Sequence, residues 1–461
     1  MDIVFCIIPK IDPTAPTPGV AVMKQVCVNA GYTSKVIDLN IDLYNKLKLK
    51  NLHTYYWDTD DSVFFTEIEP QLPTDWQQFE SDHEEIFQDW INQLQSLAPK
   101  FIGLSLLSMF SRSAGIALSL LIRKHLPLTK IIWGGPTVDA PTRNMAMELG
   151  FCDIAVIGDG EEAILSILRD EIPSQNQIAD MDQLPFPDYT DIDWAAYDTD
   201  ENVVYITGSR GCVKSCTFCN VSQIWPRYIN RSGNSIVDEI EHLSLKYNRY
   251  TFRFTDSLIN GNMKAYREFV SELISRQLEI SWSSQWIIRS IQSTLESDFD
   301  LAKRSGCSDL EIGVEHFSQD PRWHMGKKFT DEAMWHTFDL LKKFDIPSSI
   351  LMIIGYPTET DADHQVQLDV LEKLYHEKYV YSKSGNQIMH FYPTPMMLDG
   401  EIRRMVQEDL TYRNTSLDWA LGDNTYEKRQ ERYREFQEKK IKLENSELDW
   451  MARKNLRSFE S

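Results

Sequence analysis

Two rhythms alternate along this chain. Short runs in which most residues are apolar or β-branched are separated by longer stretches in which apolar residues recur every three or four positions. A continuous apolar run suits a strand covered on both faces, because its alternate side chains point to opposite faces and both must find a core. The runs Ile3–Ile8, Lys35–Asp38, Phe101–Leu107, Lys130–Trp133 and Ile154–Ile157 predict strands. The helical period between them predicts helices over Val20–Ala30, Arg112–His125 and Thr142–Leu149. Such alternation predicts a Rossmann-like parallel sheet domain over residues 1–170. The rhythm returns over 201–395, with strands at Val203–Ile206, Thr251–Thr255, Glu279–Ser284, Asp309–Gly313, Ser348–Ile354 and Gln387–Phe391. Helices fill the gaps at Ser235–Tyr247, Met263–Arg276, Ser293–Ser305, Thr330–Phe344 and Asp361–His376. Six β/α repeats predict a partial (β/α)6 TIM-type barrel, whose chemistry belongs on loops at the carboxyl ends of the strands.

Three stretches break the rhythm. Residues 51–98, rich in Asp, Glu, Gln and aromatics such as Tyr55, Tyr56, Trp57, Trp76 and Trp90, read as an inserted helical cap in the first domain. Residues 171–200, with Leu184-Pro-Phe-Pro-Asp-Tyr189, read as an extended acidic linker. After Tyr392-Pro-Thr-Pro395 comes a charged extension, 396–461, with helical stretches at Tyr426–Asn445 and Leu448–Asn455. It reads as a solvated helix packed along the barrel edge, without chemistry. The fold class is therefore α/β: a Rossmann-like sheet domain, a partial barrel and a helical C-terminal tail.

Composition narrows the function. The 461 residues are 42% hydrophobic and 25% charged, the mixture of a globular protein. No apolar run approaches the length of a bilayer span and the N-terminus lacks a signal peptide's basic start, so a cytoplasmic location is expected. A net charge of −22 gives little support for binding a nucleic-acid backbone, so a nucleic-acid partner is disfavoured. Against that background Arg210, Lys214, Arg227 and Arg231 form a local basic group. It would suit an acidic electron donor or an anionic substrate; solvated or ion-paired surface side chains are the other reading.

That group surrounds Gly208-Ser-Arg-Gly-Cys212-Val-Lys-Ser-Cys216-Thr-Phe-Cys219-Asn220, where three of the seven cysteines fall in the pattern Cys-x-x-x-Cys-x-x-Cys. An odd cysteine count with three on one loop does not make a disulfide framework. Three thiolates on one loop can hold three corners of an iron–sulfur cube and leave the fourth iron open to an outside molecule. A zinc knuckle completed by a distant ligand such as His242, or plain buried thiols, are the alternatives. Cys6, Cys27, Cys152 and Cys307 read as packed core thiols.

Following the apolar strand Val203–Ile206 and ending Cys216-Thr-Phe-Cys219, this loop resembles the cluster loop of the radical S-adenosylmethionine (SAM) enzymes. Later strand ends add to the likeness: Phe254-Thr-Asp256-Ser257, Trp282-Ser-Ser-Gln285-Trp-Ile-Ile-Arg289, Glu311-Ile-Gly313-Val-Glu315-His316 with Met325-Gly-Lys327, and Gly355-Tyr-Pro357-Thr-Glu359-Thr360. The resemblance implies a [4Fe–4S] cluster on Cys212, Cys216 and Cys219, with SAM bound through the free iron. It also implies SAM contacts from Phe218, Asp256 and Ser257 (amine), Arg289 (carboxylate), Glu315 and Gly355 (adenine), with Glu315 and His316 aimed into the cavity. The first domain resembles the cobalamin-binding domain of one large subgroup through Pro9…Pro16-Thr-Pro18-Gly19, Gly31-Tyr32, Asp38-Leu-Asn40, Gly134-Gly135 and Gly158-Asp-Gly-Glu161. That implies a corrinoid against Ser105, Gly134, Gly135, Thr137, Gly158 and Gly160. No Asp-x-His-x-x-Gly occurs. The resemblance therefore permits a corrinoid held without a histidine ligand, or a related domain that has lost it.

The function implied is reductive cleavage of SAM to a 5′-deoxyadenosyl radical that abstracts a substrate hydrogen. Cobalamin-dependent C-methylation of a small molecule or peptide is the expected outcome, with a one-electron donor such as flavodoxin or ferredoxin as partner. Ring formation, rearrangement or oxidation without methyl transfer is one alternative, and a non-catalytic iron–sulfur or corrinoid sensor another. Methylthiotransferases hold a second cluster on three N-terminal cysteines; Cys6, inside an apolar strand, speaks against that here.

Overall fold

The structure, a computed structural model, describes residues 1–57, 76–108, 110–173, 177–199, 202–379, 384–388 and 421–458. The end of the expected strand Gln387–Phe391 and the Tyr392–Pro395 motif lie outside the described residues, as do 58–75 of the expected insertion. The chain divides into two units, Met1–Thr207 and Gly208–Ser461.

In the first unit, β1 (Ile3–Ile7), β2 (Ser34–Asp38), β3 (Phe101–Ser105), β4 (Lys130–Gly134) and β5 (Ile154–Ala155) form a parallel sheet in the order 2-1-3-4-5. Alternate residues of β1 feed two cores: Val4, Cys6 and Ile8 one, Ile3, Phe5 and Ile7 the other. This two-sided burial is why the run is apolar throughout. Helices α1 (Pro18–Asn29) and, later in the chain, Glu161–Leu168 cover the Phe5 face. The Cys6 face is covered by α2 (Leu39–Leu49), α3 (Glu84–Leu97), α4 (Ser111–His125) and α5 (Ala140–Glu148). Glu161–Leu168 is α6. Strand order reverses between β1 and β3, and ligands of such sheets bind at the carboxyl edge of that switch point.

Two expectations change here. The described part of the supposed cap is core: Trp76, Phe79, Phe87 and Trp90 are buried, and α3 is the crossover helix that leads into β3. Its aromatics alternate with Glu, Gln and Asp because only one helical face meets the sheet, a pattern easily taken for a surface insertion. The linker is likewise packed: Lys24, buried in α1, lies 3.1 Å from Asp188 and 2.6 Å from Asp191, and Tyr189 is buried.

The second sheet has six strands in consecutive order: β6 (Val203–Ile206), β7 (Thr251–Phe254), β8 (Ser281–Trp286), β9 (Cys307–Glu315), β10 (Ser348–Ile354) and β11 (Ser384–Ile388). Sequential neighbours make an open barrel wall, in contrast to the reversing order of the first sheet. Helices α7 (Gly233–Tyr247), α8 (Met263–Ser275), α9 (Glu296–Arg304), α10 (Asp331–Lys343) and α11 (Asp361–His376) separate the strands. The register between β9 and β10 shifts at Gly313–Glu315, where Glu315 takes φ +68°. Such a bulge re-aims the side chain that leaves the strand. Helix α11 starts where the sequence places it, because Thr360 and Asp363 form a reciprocal cap.

The described part of the tail, residues 421–458, holds the helix α12 (Tyr426–Ser458), packed against α11 and β10. It packs along the barrel as expected, but it is less solvated than its composition suggests. Phe436, Arg429 and Arg432 are buried, and the two arginines reach the strand ends described below. No described helix is long and apolar enough to cross a membrane.

Candidate active site

The cysteine loop leaves β6 and is fixed at its base. Asp256, at the end of β7 and buried, accepts the Gly208 N–H at 2.8 Å and the Ser209 hydroxyl at 2.5 Å. The Arg231 N–H donates to the Gly208 carbonyl at 2.8 Å. Both Asp256 oxygens therefore support the loop, a role the resemblance did not assign to them. Burial pushes the Asp256 carboxyl up to about 7, with the Ser209 and Gly208 bonds pulling it back. Gly211 turns the chain at φ +81°, with the Arg227 carbonyl oxygen 2.5 Å from where a Cβ would stand. Only glycine fits there. Of the basic group, Arg231 is buried and ion-paired with buried Glu239, while Arg227 is exposed and Lys214 half-buried.

Within the loop the Lys214 N–H donates to the Cys212 sulfur at 3.4 Å, and the Val221 N–H bonds the Cys219 sulfur. Burial pushes the Cys216 thiol up to about 11 and raises Cys219 as well; Cys212 acts on both. Thiols raised in this way ionise when a cation compensates them, which is what iron does. Among the described residues no three His, Cys, Asp or Glu side chains are grouped as for a single metal ion. A four-iron cube makes no such demand, because each thiolate binds its own iron. Three cysteines, amide bonds to two sulfurs and no fourth ligand in the loop fit a [4Fe–4S] cluster. Cys6, Cys27, Cys152 and Cys307 are buried as expected. Cys6 and Cys152 sit in one core of the first unit and Cys27 in the other, so these three cannot share a second cluster.

The loop is tied to the segment after β9. Thr217 donates its N–H to the Met325 carbonyl at 3.1 Å and its hydroxyl to the His324 carbonyl at 3.3 Å. Gly326 (φ +85°) brings the chain to within 3.4 Å of the Cys216 Cα, measured from an ideal Cβ. This delivers Lys327, which the sequence had shown only as part of a motif. Its Nζ lies 3.0 Å from Glu315 Oε1, donates to the Gly313 carbonyl at 3.2 Å and stands 6.0 Å from the centre of the Phe218 ring. Gly313 makes room, since a Cβ there would stand 2.7 Å from Nζ. Burial raises the Glu315 carboxyl, with Lys327 opposing it. Burial also works against the Lys327 ammonium, but Glu315 and then Cys216 outweigh it and hold its pKa above the ordinary value.

Glu315 and His316 do not share a cavity. Consecutive residues leaving a strand face opposite sides, and His316, fully buried, turns to Glu359 at 3.5 Å. Glu359 accepts the Gly355 N–H at 2.7 Å and is 3.6 Å from both His364 and Arg432. Burial alone would raise its carboxyl, but His316 and His364 lead a set of partners that hold it down at about 2. Gly355 (φ +86°) was assigned to the SAM adenine. In the structure its Cβ direction is filled by the Arg429 side chain at 2.6 Å. The close approach that demands glycine is made by α12.

Two other assigned residues keep hydrogen-bonding capacity. The half-buried Ser257 hydroxyl has no partner among the described residues. Arg289 places Nη1 on the carbonyls of Asn260 (3.0 Å) and Gly261 (3.3 Å), while its Nε is buried without a bond and no described carboxylate pairs with it. Tyr228 links this group to the loop: its ring covers Gly261, and its hydroxyl interacts with Ser209.

In the first unit the six positions assigned to cobalamin divide. At Gly134 and Gly158 no atom lies within 4 Å of an ideal Cβ, so both open outward, and Ser105 is half-buried at the end of β3. Gly135 (φ +113°) backs onto the Leu106 carbonyl at 2.5 Å, and the Thr137 hydroxyl donates to the same carbonyl at 2.9 Å. Gly160 faces the Met23 sulfur at 3.2 Å. Gly135, Thr137 and Gly160 therefore hold turns, whereas Gly134 and Gly158 leave backbone exposed at the carboxyl edge.

A model described as "Radical SAM superfamily" matches residues 206–370. Those residues, under half of the chain, are similar to the radical SAM superfamily. Its members use SAM with a [4Fe–4S] cluster. An anaerobic magnesium-protoporphyrin IX monomethyl ester cyclase of Rubrivivax gelatinosus is 28% identical over 191 residues, which cover 41% of this chain and 34% of that protein. An uncharacterized methyltransferase of Pyrococcus horikoshii is 24% identical over 270 residues, 53% of this chain and 58% of that one. The chain thus spans between a third and three fifths of these relatives. Among solved structures, the radical SAM methyltransferase TsrM of Kitasatospora setae matches with TM-score 0.61 at 15% identity, over 86% of this chain and 74% of that one. The cobalamin-dependent radical SAM enzyme OxsB matches with TM-score 0.63 at 14% identity, over 87% and 55%. These two likenesses show a shared fold.

Proposed function

We propose that this radical SAM enzyme methylates carbon in a small molecule or peptide with cobalamin as the methyl carrier. The carrying observation is the 2-1-3-4-5 parallel sheet with Gly134 and Gly158 open at its carboxyl edge. It precedes the cysteine loop in a fold shared with TsrM, whose structure has cobalamin and a [4Fe–4S] cluster bound. Held by Cys212, Cys216 and Cys219, the cluster would supply the electron that splits SAM into methionine and a 5′-deoxyadenosyl radical. The chain's own groups bind and orient. Arg289 meets the SAM carboxylate with the Nε left unbonded, since a guanidinium and a carboxylate form charge-assisted bonds. Ser257 offers its hydroxyl to the amine. Lys327 and Glu315 form a nearly dry, charged wall beside Phe218, which excludes water from the place where a radical would form. Gly134, Gly158 and Ser105 admit the corrinoid without a histidine ligand.

Anaerobic reconstitution with iron, sulfide, SAM and dithionite, with and without hydroxocobalamin, tests this. The proposal expects 5′-deoxyadenosine and a corrinoid that stays with the protein through gel filtration. The matched cyclases favour a second reading, ring formation or another radical outcome without methyl transfer. It would give 5′-deoxyadenosine with no retained corrinoid. A full cluster without any 5′-deoxyadenosine would remove both.

A further inference from the structure

We propose that Tyr356, held from behind by Asn424 in the C-terminal segment, is a positioning residue for the cysteine loop. The inference rests on the reading that this loop carries a cluster. Thr217 sits between Cys216 and Cys219, so a shift of Thr217 moves two of the three sulfurs. Two of its tethers come from His324 and Met325, and the third is the Tyr356 hydroxyl, 3.1 Å from the Thr217 hydroxyl. The Thr217 hydroxyl already donates to His324, which leaves its oxygen to accept from Tyr356.

Tyr356 is fully buried and stands on a turn fastened from both sides. On one side the Gly355 N–H is held by Glu359. On the other, the Asn424 amide donates to the carbonyls of Tyr356 (2.8 Å) and Pro357 (3.3 Å). Arg429 donates Nη1 to the Asn424 carbonyl at 2.9 Å while its aliphatic stem fills the space beside Gly355. The C-terminal segment thus sets the height of one phenol, and that phenol sets Thr217. A hydroxyl bridge of this kind does little for a loop already closed by two other bonds unless the loop's geometry has to be held closely. A cluster ligated at only three corners has that requirement, because an errant cysteine cannot be replaced by a fourth.

The test compares wild type, Tyr356→Phe, Asn424→Asp and the control Lys439→Ala, each a full chain reconstituted anaerobically. Phenylalanine keeps the packing and removes the hydroxyl. Aspartate keeps the shape and replaces the donor with oxygen facing two carbonyls. Lys439, on α12, pairs with Glu372 on α11, away from the turn. The readouts are the rate of iron release to a ferrous chelator, the electron paramagnetic resonance spectrum of the reduced cluster, and thermal unfolding of the cluster-free protein. We expect iron release about fivefold faster in Tyr356→Phe, the factor that a hydrogen bond of ~1 kcal/mol represents. Its spectrum should show altered g-values, its thermal unfolding should stay close to wild type, and Lys439→Ala should match wild type throughout. Iron release and g-values in Tyr356→Phe equal to wild type would overturn the inference and leave the cluster reading standing. Failure of wild type itself to take up a four-iron cluster would overturn both. Should Asn424→Asp not fold, Tyr356→Phe decides alone.

Discussion

Replacing Lys327 with methionine should destabilise the protein by an amount set by pH. The substitution keeps the chain length and removes the ammonium 3.0 Å from Glu315, in a pair whose side chains are 11% and 9% exposed. At that separation and an effective dielectric of 20 the lost attraction is ~5 kcal/mol. The loss cannot reach that value, because Glu315 can take up a proton instead. From an ordinary carboxyl value of 4.5, protonation costs ~3 kcal/mol at pH 7 and ~1.4 kcal/mol at pH 5.5. The smaller quantity decides. Burial already raises Glu315 with Lys327 in place, so ~3 kcal/mol is a ceiling. The sign follows: in Lys327→Met the folded-state carboxyl value lies above the unfolded one, so the penalty is absent below about pH 4.5 and grows as pH rises. Urea denaturation of the full, cluster-free chain at pH 5.5 and 7 measures it. Glu315→Gln combined with Lys327→Met should recover most of the loss, since removing both partners leaves no buried charge. An equal penalty at both pH values, or no recovery in the double variant, would refute the account of this pair.

Asp256, raised by burial to about 7 from an ordinary 3.8, favours a proton-bound folded state. Its contribution to stability is full below about pH 4 and is lost as pH rises towards 7, by ~4 kcal/mol at most; Asp256→Asn should flatten the urea midpoint across that window. Gly355→Ala meets both a left-handed backbone and the Arg429 stem, and should cost ~2–4 kcal/mol in denaturant titrations. Gly134→Ala, with open space and no positive φ, should cost less than ~1 kcal/mol. Alanine at Cys212, Cys216 or Cys219 should lower bound iron after anaerobic reconstitution, while Cys307→Ala, which touches only core, should lower stability and leave iron content unchanged.

The two sheets were legible because strands covered on both faces leave apolar runs and because helix caps such as Thr360 with Asp363 are local. The cysteine loop was legible for the same reason, since its ligands lie within eight residues. What sequence could not show depends on distant pairing. In Tyr426-Glu-Lys-Arg429-Gln-Glu-Arg432 nothing distinguishes a buried arginine from a solvated one; Arg432 becomes buried because Glu359, far away in the chain, is buried opposite it. Asp256 was recognised as important, but its hold on the cysteine loop was not legible, because the Gly208 and Ser209 donors that engage it follow a different strand. The sides taken by Glu315 and His316 were open to reasoning from strand alternation, whereas the bulge at Gly313 that aims Glu315 was not.

The order in which these contacts become available matters during synthesis. Thr217 emerges from the ribosome about two hundred residues before Asn424, an interval of roughly 10–40 s at ordinary elongation rates. Throughout it, the nascent loop lacks the last brace behind its phenol. On the proposed reading, a cluster assembled before Asn424 is made would sit on a loop not yet braced through Tyr356, which favours assembly after that segment has emerged.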